Sequence, residues 1–442
     1  MPTSVSNLNM DAITVGLIMM TIIFVTLTLG FPIALSIGSG ALTAMFLIMP
    51  FEQATIVSAQ RMFAGLNSFS LLAIPFFILA GNIMNNGGIA DRLVRFAGVF
   101  SRRLPGYLAQ TNIVANMLFG AISGSGMAAA AAMGSTIGPM EEEEGYDKNW
   151  SAAVNAASAP CGMILPPSNL MIIYAMTAGA VSIAGLFMAG YLPGILWGLG
   201  CMIVAHFQAK KRGYVSTSSY NLKESLAITW QAIPSLTLIF IVIGGILFGW
   251  FTPTEGSAIA VAYALLLSFI YKTIKIKNIP KLLLDTAKIT AVVQFMVGLS
   301  AMMSFVMAFT RLPDMARELV MNTTDSFIVI LIIINILMLI VGLFMDPTPA
   351  VLIFTPIFLP IVMQFGMHPV HFGIMLVFNK AVGTITPPIG PILFTACRIG
   401  NVKIEKVVKP LMPYVYMLLI LLLFVMFVPE LSMLLPRLFG LV

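Results

Sequence analysis

Asp346 is an isolated carboxylate in the apolar stretch Ser326 to Phe365, set in the run Gly342-Leu343-Phe344-Met345-Asp346-Pro347-Thr348-Pro349. An acidic side chain at membrane depth costs about 2.5 kcal/mol or more, so it calls for a cation, a proton or a network of donors. It equally suits the cap of a following half-helix, and the two roles are compatible. Thr348, Thr384 and Thr386 offer hydroxyls to a cation shell, or bond their own helix backbone instead. A second run, Gly120-Ala121-Ile122-Ser123-Gly124-Ser125-Gly126, leads into the small residues Met127 to Ala132. There two serines supply neutral oxygen ligands on a backbone that others can approach closely; the alternative is a Gly/Ala helix-packing face. Gly124-x-Gly126 is no nucleotide fingerprint, because no strand precedes it.

Two proline-broken segments carry the remaining chemistry. Asn155, Ser158, Ser168 and Asn169 flank the break from Ala159 to Pro167, and Asn379 and Lys380 precede Gly383 in the other. Proline lacks an N–H and clashes with the preceding turn, so each Pro-Pro pair unwinds its helix and frees carbonyls. Freed carbonyls and hydroxyls suit Na⁺, and half-helix N-termini suit an anionic solute. Lys380 has three readings: a pair with Asp346, a contact to a substrate carboxylate, or snorkelling to an interface.

Other polar groups carry less. Glu141 to Glu144 read as a solvated cytoplasmic loop, since four adjacent carboxylates rarely converge on a metal. His368 and His371 straddle Pro369, which argues against a zinc pair. Cys161, Cys201 and Cys397 lie in apolar segments without C-x-x-C spacing and read as inert thiols. The 32 methionines read as pliant packing. No nucleophile and base form a recognisable enzyme motif, so the chain does not read as an enzyme.

The elements that must position these groups are membrane helices. The 442 residues are 59% hydrophobic and 9% charged, far from the roughly 25% charge of soluble domains. The sequence predicts an all-α polytopic membrane protein with ten crossings and two re-entrant hairpins, Leu108 to Met140 and Ser326 to Phe365. Met1 to Asp11 lacks a signal-peptide pattern, so the first apolar run is expected to be a retained helix. With the N-terminus outside, inner loops collect eighteen Lys and Arg residues, against Arg61, Arg311, Arg317 and Arg437 outside. Both termini are therefore expected outside. Nucleic acid is not an expected partner, because the basic residues lie in short loops.

Gly162-Met163-Ile164-Leu165-Pro166-Pro167 recurs as Gly383-Thr384-Ile385-Thr386-Pro387-Pro388, an offset of 221 that also pairs Gly179 with Gly400. The motif-bearing helices are an odd number of crossings apart, so the repeat is inverted. Broken backbone at membrane depth is tolerated only inside protein or beside a cavity. Paired breaks in inverted halves point to a transporter's midplane site. The expected units are 1–68 (scaffold helices and an amphipathic segment), 69–208 (helix, arm, first hairpin and broken helix), 209–283 (scaffold helices), and 284–442 (helix, arm, second hairpin, broken helix and last helix).

Leu72-Ala73-Ile74-Pro75-Phe76-Phe77-Ile78-Leu79-Ala80-Gly81, the Ser123-Gly124-Ser125 tip and the two Pro-Pro motifs together resemble the large membrane subunit of tripartite ATP-independent periplasmic (TRAP) transporters, over nearly the whole chain. The resemblance implies a multi-pass subunit of the bacterial inner membrane that imports organic acids with sodium by an elevator mechanism. Its implied partners are a periplasmic substrate-binding protein and a small four-helix membrane subunit. It implies at least two Na⁺ sites: Ser123 and Ser125 with the turn Ser158 to Gly162, and Gly342, Met345, Asp346 and Thr348 with Gly383 and Thr386. Ser125, Ser168 and Asn169 would face the solute, with Lys380 a further candidate. Sialic acid is the first expected substrate and a C4-dicarboxylate the second. A stand-alone sodium or proton symporter of an anion is the alternative.

Overall fold

A computed structural model describes residues 11–179, 181–214, 221–312, 318, 326–343, 345–387 and 390–442. Met1 to Met10, Arg317, Phe344 and Pro388, all used above, lie outside the described residues, as does most of the segment between Leu312 and Ser326. Among the described residues there are nineteen α-helices and no strand. In a bilayer the backbone has no water to bond, and a helix satisfies its own N–H and C=O groups. Seven helices are long and apolar enough to span: Phe69–Asn86, Ile183–Arg212, Lys223–Leu247, Pro253–Ile270, Ile276–Thr310, Pro347–Gln364 and Ile404–Phe427. Ala12–Leu27 and Ile33–Ile48 are shorter apolar helices.

Local chemistry sets several boundaries. Thr252 and Glu255 form a reciprocal capping box that starts Pro253–Ile270, and Asn221 with Glu224 starts Leu222–Leu247 in the same way. Ile183–Arg212 ends on Lys210, Lys211 and Arg212 and then Gly213 at φ 75°, the basic last turn and left-handed cap that a helix C-terminus favours.

The two halves run through the same order of elements. In the first, Ala73–Asn86 is followed by the amphipathic helix Ile89–Ser101 and the first hairpin, Tyr107–Ser123 and Gly126–Glu143. Then come the broken helix, Lys148–Ser158 and Asn169–Ala178, and the long helix Ile183–Arg212. In the second half, Ile279–Thr310 precedes the second hairpin, Phe327–Gly342 and Pro347–Gln364. Its broken helix is Pro369–Gly383 and Pro391–Ile399, followed by Ile404–Phe427.

The halves interlock rather than sit side by side. Gly126–Glu143 of the first hairpin packs on Pro391–Ile399, and Pro347–Gln364 of the second packs on Asn169–Ala178. Tyr174 donates to the Pro369 carbonyl at 2.6 Å, and the Trp197 ring meets the Phe378 ring edge-on at 4.9 Å. Around this core, Ala73–Asn86 packs along Pro253–Ile270, while Ile279–Thr310 packs on Ile33–Ile48 and Phe51–Leu66.

Candidate functional site

Each hairpin meets its own broken helix through glycine. A β-carbon on Gly120 would lie 2.4 Å from the Gly162 Cα, and one on Gly162 would lie 2.3 Å from the Gly120 Cα. Real side chains do not pack at that range, so backbone touches backbone. The arm carrying Ser123 is thereby pressed against the turn Ala159–Met163 that follows Ser158. Beside this contact, Asn116 Nδ2 donates to Ser158 Oγ at 2.9 Å, Asn155 Oδ1 at 3.0 Å and Asn112 Oδ1 at 2.7 Å. All four side chains are buried.

The second half repeats the arrangement with different groups. A β-carbon on Gly383 would lie 3.1 Å from the Gly342 carbonyl oxygen. Here Asn379 Nδ2 donates to Asn335 Oδ1 and to the Asn335 carbonyl, each at 3.0 Å. Lys380 is buried, donates to the Met338 carbonyl and lies 4.5 Å from the centre of the Phe354 ring. It makes no ion pair with Asp346 and does not snorkel; in the inverted repeat its counterpart is Ala159. The Thr384 and Thr386 hydroxyls donate to the carbonyls of Ala381 (2.6 Å) and Val382 (2.8 Å), which leaves their lone pairs as the part open to a ligand.

The two tips open onto one cavity of about 650 Å³. Ser123, Ser125, Asn169, Asp346, Thr348 and Thr384 line it, and Asn82 and Lys288 stand on its outer wall. Asp346 is exposed on the cavity surface while protein surrounds it on its other sides. Ser158, Gly162, Ser168, Gly342, Met345, Lys380, Gly383 and Thr386 do not line the cavity. Ser158, Gly162, Gly342 and Gly383 lie in the hairpin contacts behind the tips. Ser168 is buried, accepts from the Met171 N–H and donates to the Met163 carbonyl, so it fixes the start of the helix on which Asn169 is the first residue.

Four half-helices begin at this cavity: Gly126–Glu143, Asn169–Ala178, Pro347–Gln364 and Pro391–Ile399. Their N-caps are Ser125, Ser168, Asp346 and Gly390. A helix N-terminus carries roughly half a positive charge, so four aimed at one space favour an anion. Gly124 makes the first tip possible: it sits at φ 60°, and a β-carbon there would come within 3.1 Å of the Asn169 amide nitrogen.

Three groups escaped the reading of the sequence. Gly81 closes the Leu72-to-Gly81 motif, and a β-carbon on it would lie 3.2 Å from the Ser123 Cα, so the motif ends where the tip must dock. Asn82 donates to Thr286 at 3.0 Å, tying the helix before the first hairpin to the one before the second. Lys288 counted among the basic residues of the inner loops, but it lies on the helix Ile279–Thr310 and lines the cavity. The polar Asn82 beside that motif was the available signal.

Glu141 corrects a further expectation. Glu142, Glu143 and Glu144 are exposed, and Glu142 pairs with Lys148 at 2.7 Å, but Glu141 is buried with only 1% of its surface exposed. The helix Gly126–Glu143 continues through the acidic run, and its buried stripe of Ala129, Ala130, Met133 and Ile137 reaches Glu141 at helical spacing. Burial pushes its carboxyl up to about 8, with the Ser151 hydroxyl pulling the other way. Among the described residues no three His, Cys, Asp or Glu side chains are grouped to hold a metal.

Inverted halves, facing hairpins, broken helices and a cavity at the hairpin tips are the architecture of a membrane transport permease. A solved fold of this kind is similar throughout: the YdaH transporter of Alcanivorax borkumensis superposes with a TM-score of 0.63 at 14% identity, covering 95% of this chain and 99% of that one. The chain belongs to the family of the tripartite ATP-independent periplasmic transporter DctM component, whose profile matches residues 5–431. It is 49% identical to protein YgiK of Salmonella typhimurium, over 94% of this chain and 96% of that one. It is 36% identical to the C4-dicarboxylate TRAP transporter large permease protein DctM of Rhodobacter capsulatus, over 96% and 99%. Against the sialic acid TRAP transporter large permease protein SiaM of Vibrio cholerae the figures are 34%, 93% and 96%. The family comprises multi-pass membrane permeases for secondary transport that work with a small membrane subunit and a periplasmic binding protein.

Proposed function

We propose that this chain imports a small organic anion in symport with sodium, taking the solute from a periplasmic binding protein and working with a small four-helix membrane subunit. The observation that carries this reading is the convergence of four half-helix N-termini on one cavity of about 650 Å³, a size suited to a small ligand. Ser125 and Asn169 face the solute, and Ser168 holds Asn169 in place. Lys380, off the cavity in this conformation, positions the second hairpin arm through the Met338 carbonyl.

One Na⁺ belongs at Ser123 and Ser125 with the Ser158–Gly162 turn. A second belongs at Gly342, Met345, Asp346 and Thr348 with Gly383 and Thr386. The interlocked hairpins and broken helices move as one transport unit against the outer helices, an elevator. The distribution of basic residues supports an orientation with the base of the first hairpin in the cytoplasm and both termini in the periplasm. The identities of 36% and 34% do not separate a dicarboxylate from a sialic acid.

Labelled succinate and labelled N-acetylneuraminate, offered in parallel to proteoliposomes holding the complex, decide the substrate. Uptake is expected only when the sodium gradient, the binding protein and the small subunit are all present. Uptake by this chain alone would favour a stand-alone symporter. Asp346→Ala is expected to abolish sodium-dependent uptake while the protein still purifies folded, and unchanged uptake at every sodium concentration would refute its assignment.

A further inference from the structure

Glu141 belongs to a second polar cavity, of about 440 Å³, at the base of the first hairpin. Asn112, Ser151, Asn155 and Asn401 line it with Glu141. Two of its buried oxygens, Glu141 Oε1 and Ser151 Oγ, lie near each other, and neither is closed by a hydrogen bond of ordinary geometry. A buried unpartnered oxygen costs about 1–3 kcal/mol, more when charged, so such a pair persists where something else is to be bound. The available donors are a carboxylate, a hydroxyl and amide oxygens, an all-oxygen set that suits a hard cation. Its one acidic group, once it gives up its proton to an arriving cation, balances one charge. Glu142 and Lys148 also line the cavity but neutralise each other at its exposed rim.

The cavity is one side chain away from the first hairpin contact. Its lining residues Asn112 and Asn155 both accept from Asn116, which also donates to Ser158. Asn116 Oδ1 is itself buried without a partner. Polar side chains thus run from Ser158, through Asn116, to Asn155 on the wall of the cavity that Glu141 also lines. The second half has no equivalent: the residue 221 positions after Glu141 is Val362, buried and apolar.

We propose that Glu141, Ser151 and Asn155 form a cytoplasm-side binding station for sodium, which receives the ion leaving the Ser158 turn before it reaches the cytoplasm. The proposal rests on the sodium-coupled reading above. A station of this kind delays rebinding from the inside and makes release at the first site depend on sodium in the cytoplasm.

The test uses the complete complex in proteoliposomes, oriented by supplying the binding protein only outside, with the solute that the uptake assay identifies. Uptake is measured while lumenal and external sodium are varied separately. In the wild type, lumenal sodium is expected to inhibit. Glu141→Gln, a near-isosteric change, is expected to raise the ratio of inhibitory lumenal to activating external sodium concentration at least tenfold. Ser151→Ala, which removes one ligand and leaves the carboxyl, is expected to raise it by a smaller factor. An unchanged ratio in both variants would overturn the station. A Glu141→Gln variant that loses only a dependence on lumenal pH would also overturn it, since a proton would then be the occupant. A wild type indifferent to sodium on both faces would overturn the sodium-coupled reading itself, a distinct result.

Discussion

Glu141 shows at the residue scale how a side chain's surroundings override its sequence neighbours. Read along the chain it is the first of four glutamates before a glycine, the pattern of a solvated turn; in space it is the last residue of a buried helical stripe. Nothing in the local composition states the phase at which the helix passes Met140, so its burial was not legible. It follows that the folded chain holds a proton that the unfolded chain releases above about 4.5. Stability is therefore expected to fall as pH rises from about 4.5 to about 8 and to level off above that. Melting temperatures of the detergent-solubilised protein across that range check this, and Glu141→Gln should flatten the slope. Asp346 and the serines of the first tip were legible for the opposite reason: a polar group within an apolar run has few places to go.

At the scale of the element, the proline breaks were readable because proline removes a donor and a turn wherever it stands. The glycines were readable only as small residues. What they meet, Gly120 against Gly162 and Gly342 against Gly383, depends on two elements crossing in space. The contacts differ in tightness, and this grades a prediction. Gly120→Ala and Gly162→Ala place a methyl group within 2.4 Å of backbone and are expected to destabilise by about 1–3 kcal/mol or more, with loss of uptake. Gly383→Ala, at 3.1 Å, should be milder. Gly244→Ala, with nothing within 4 Å, should be silent or slightly stabilising. Thermal melts and uptake on the four variants give the order directly.

At the scale of the whole molecule, the repeat disclosed two similar halves but not how they join. Each hairpin's second arm lies on the broken helix of the other half, and the cavity takes two of its four half-helix N-termini from each. Neither half holds a complete site. If the chain is divided after Gly213 and the two pieces are expressed together, they are expected to co-purify and restore uptake. Expressed singly, each is expected to fail to accumulate, as read by membrane immunoblot. The same exchange of arms bears on how a cell makes the protein. While the ribosome is still extending the second half, the polar Ser123–Ser125 tip has already entered the bilayer without Pro391–Ile399 to cover it. The nascent first half therefore depends on the insertion machinery to shelter that tip until the last two hundred residues arrive.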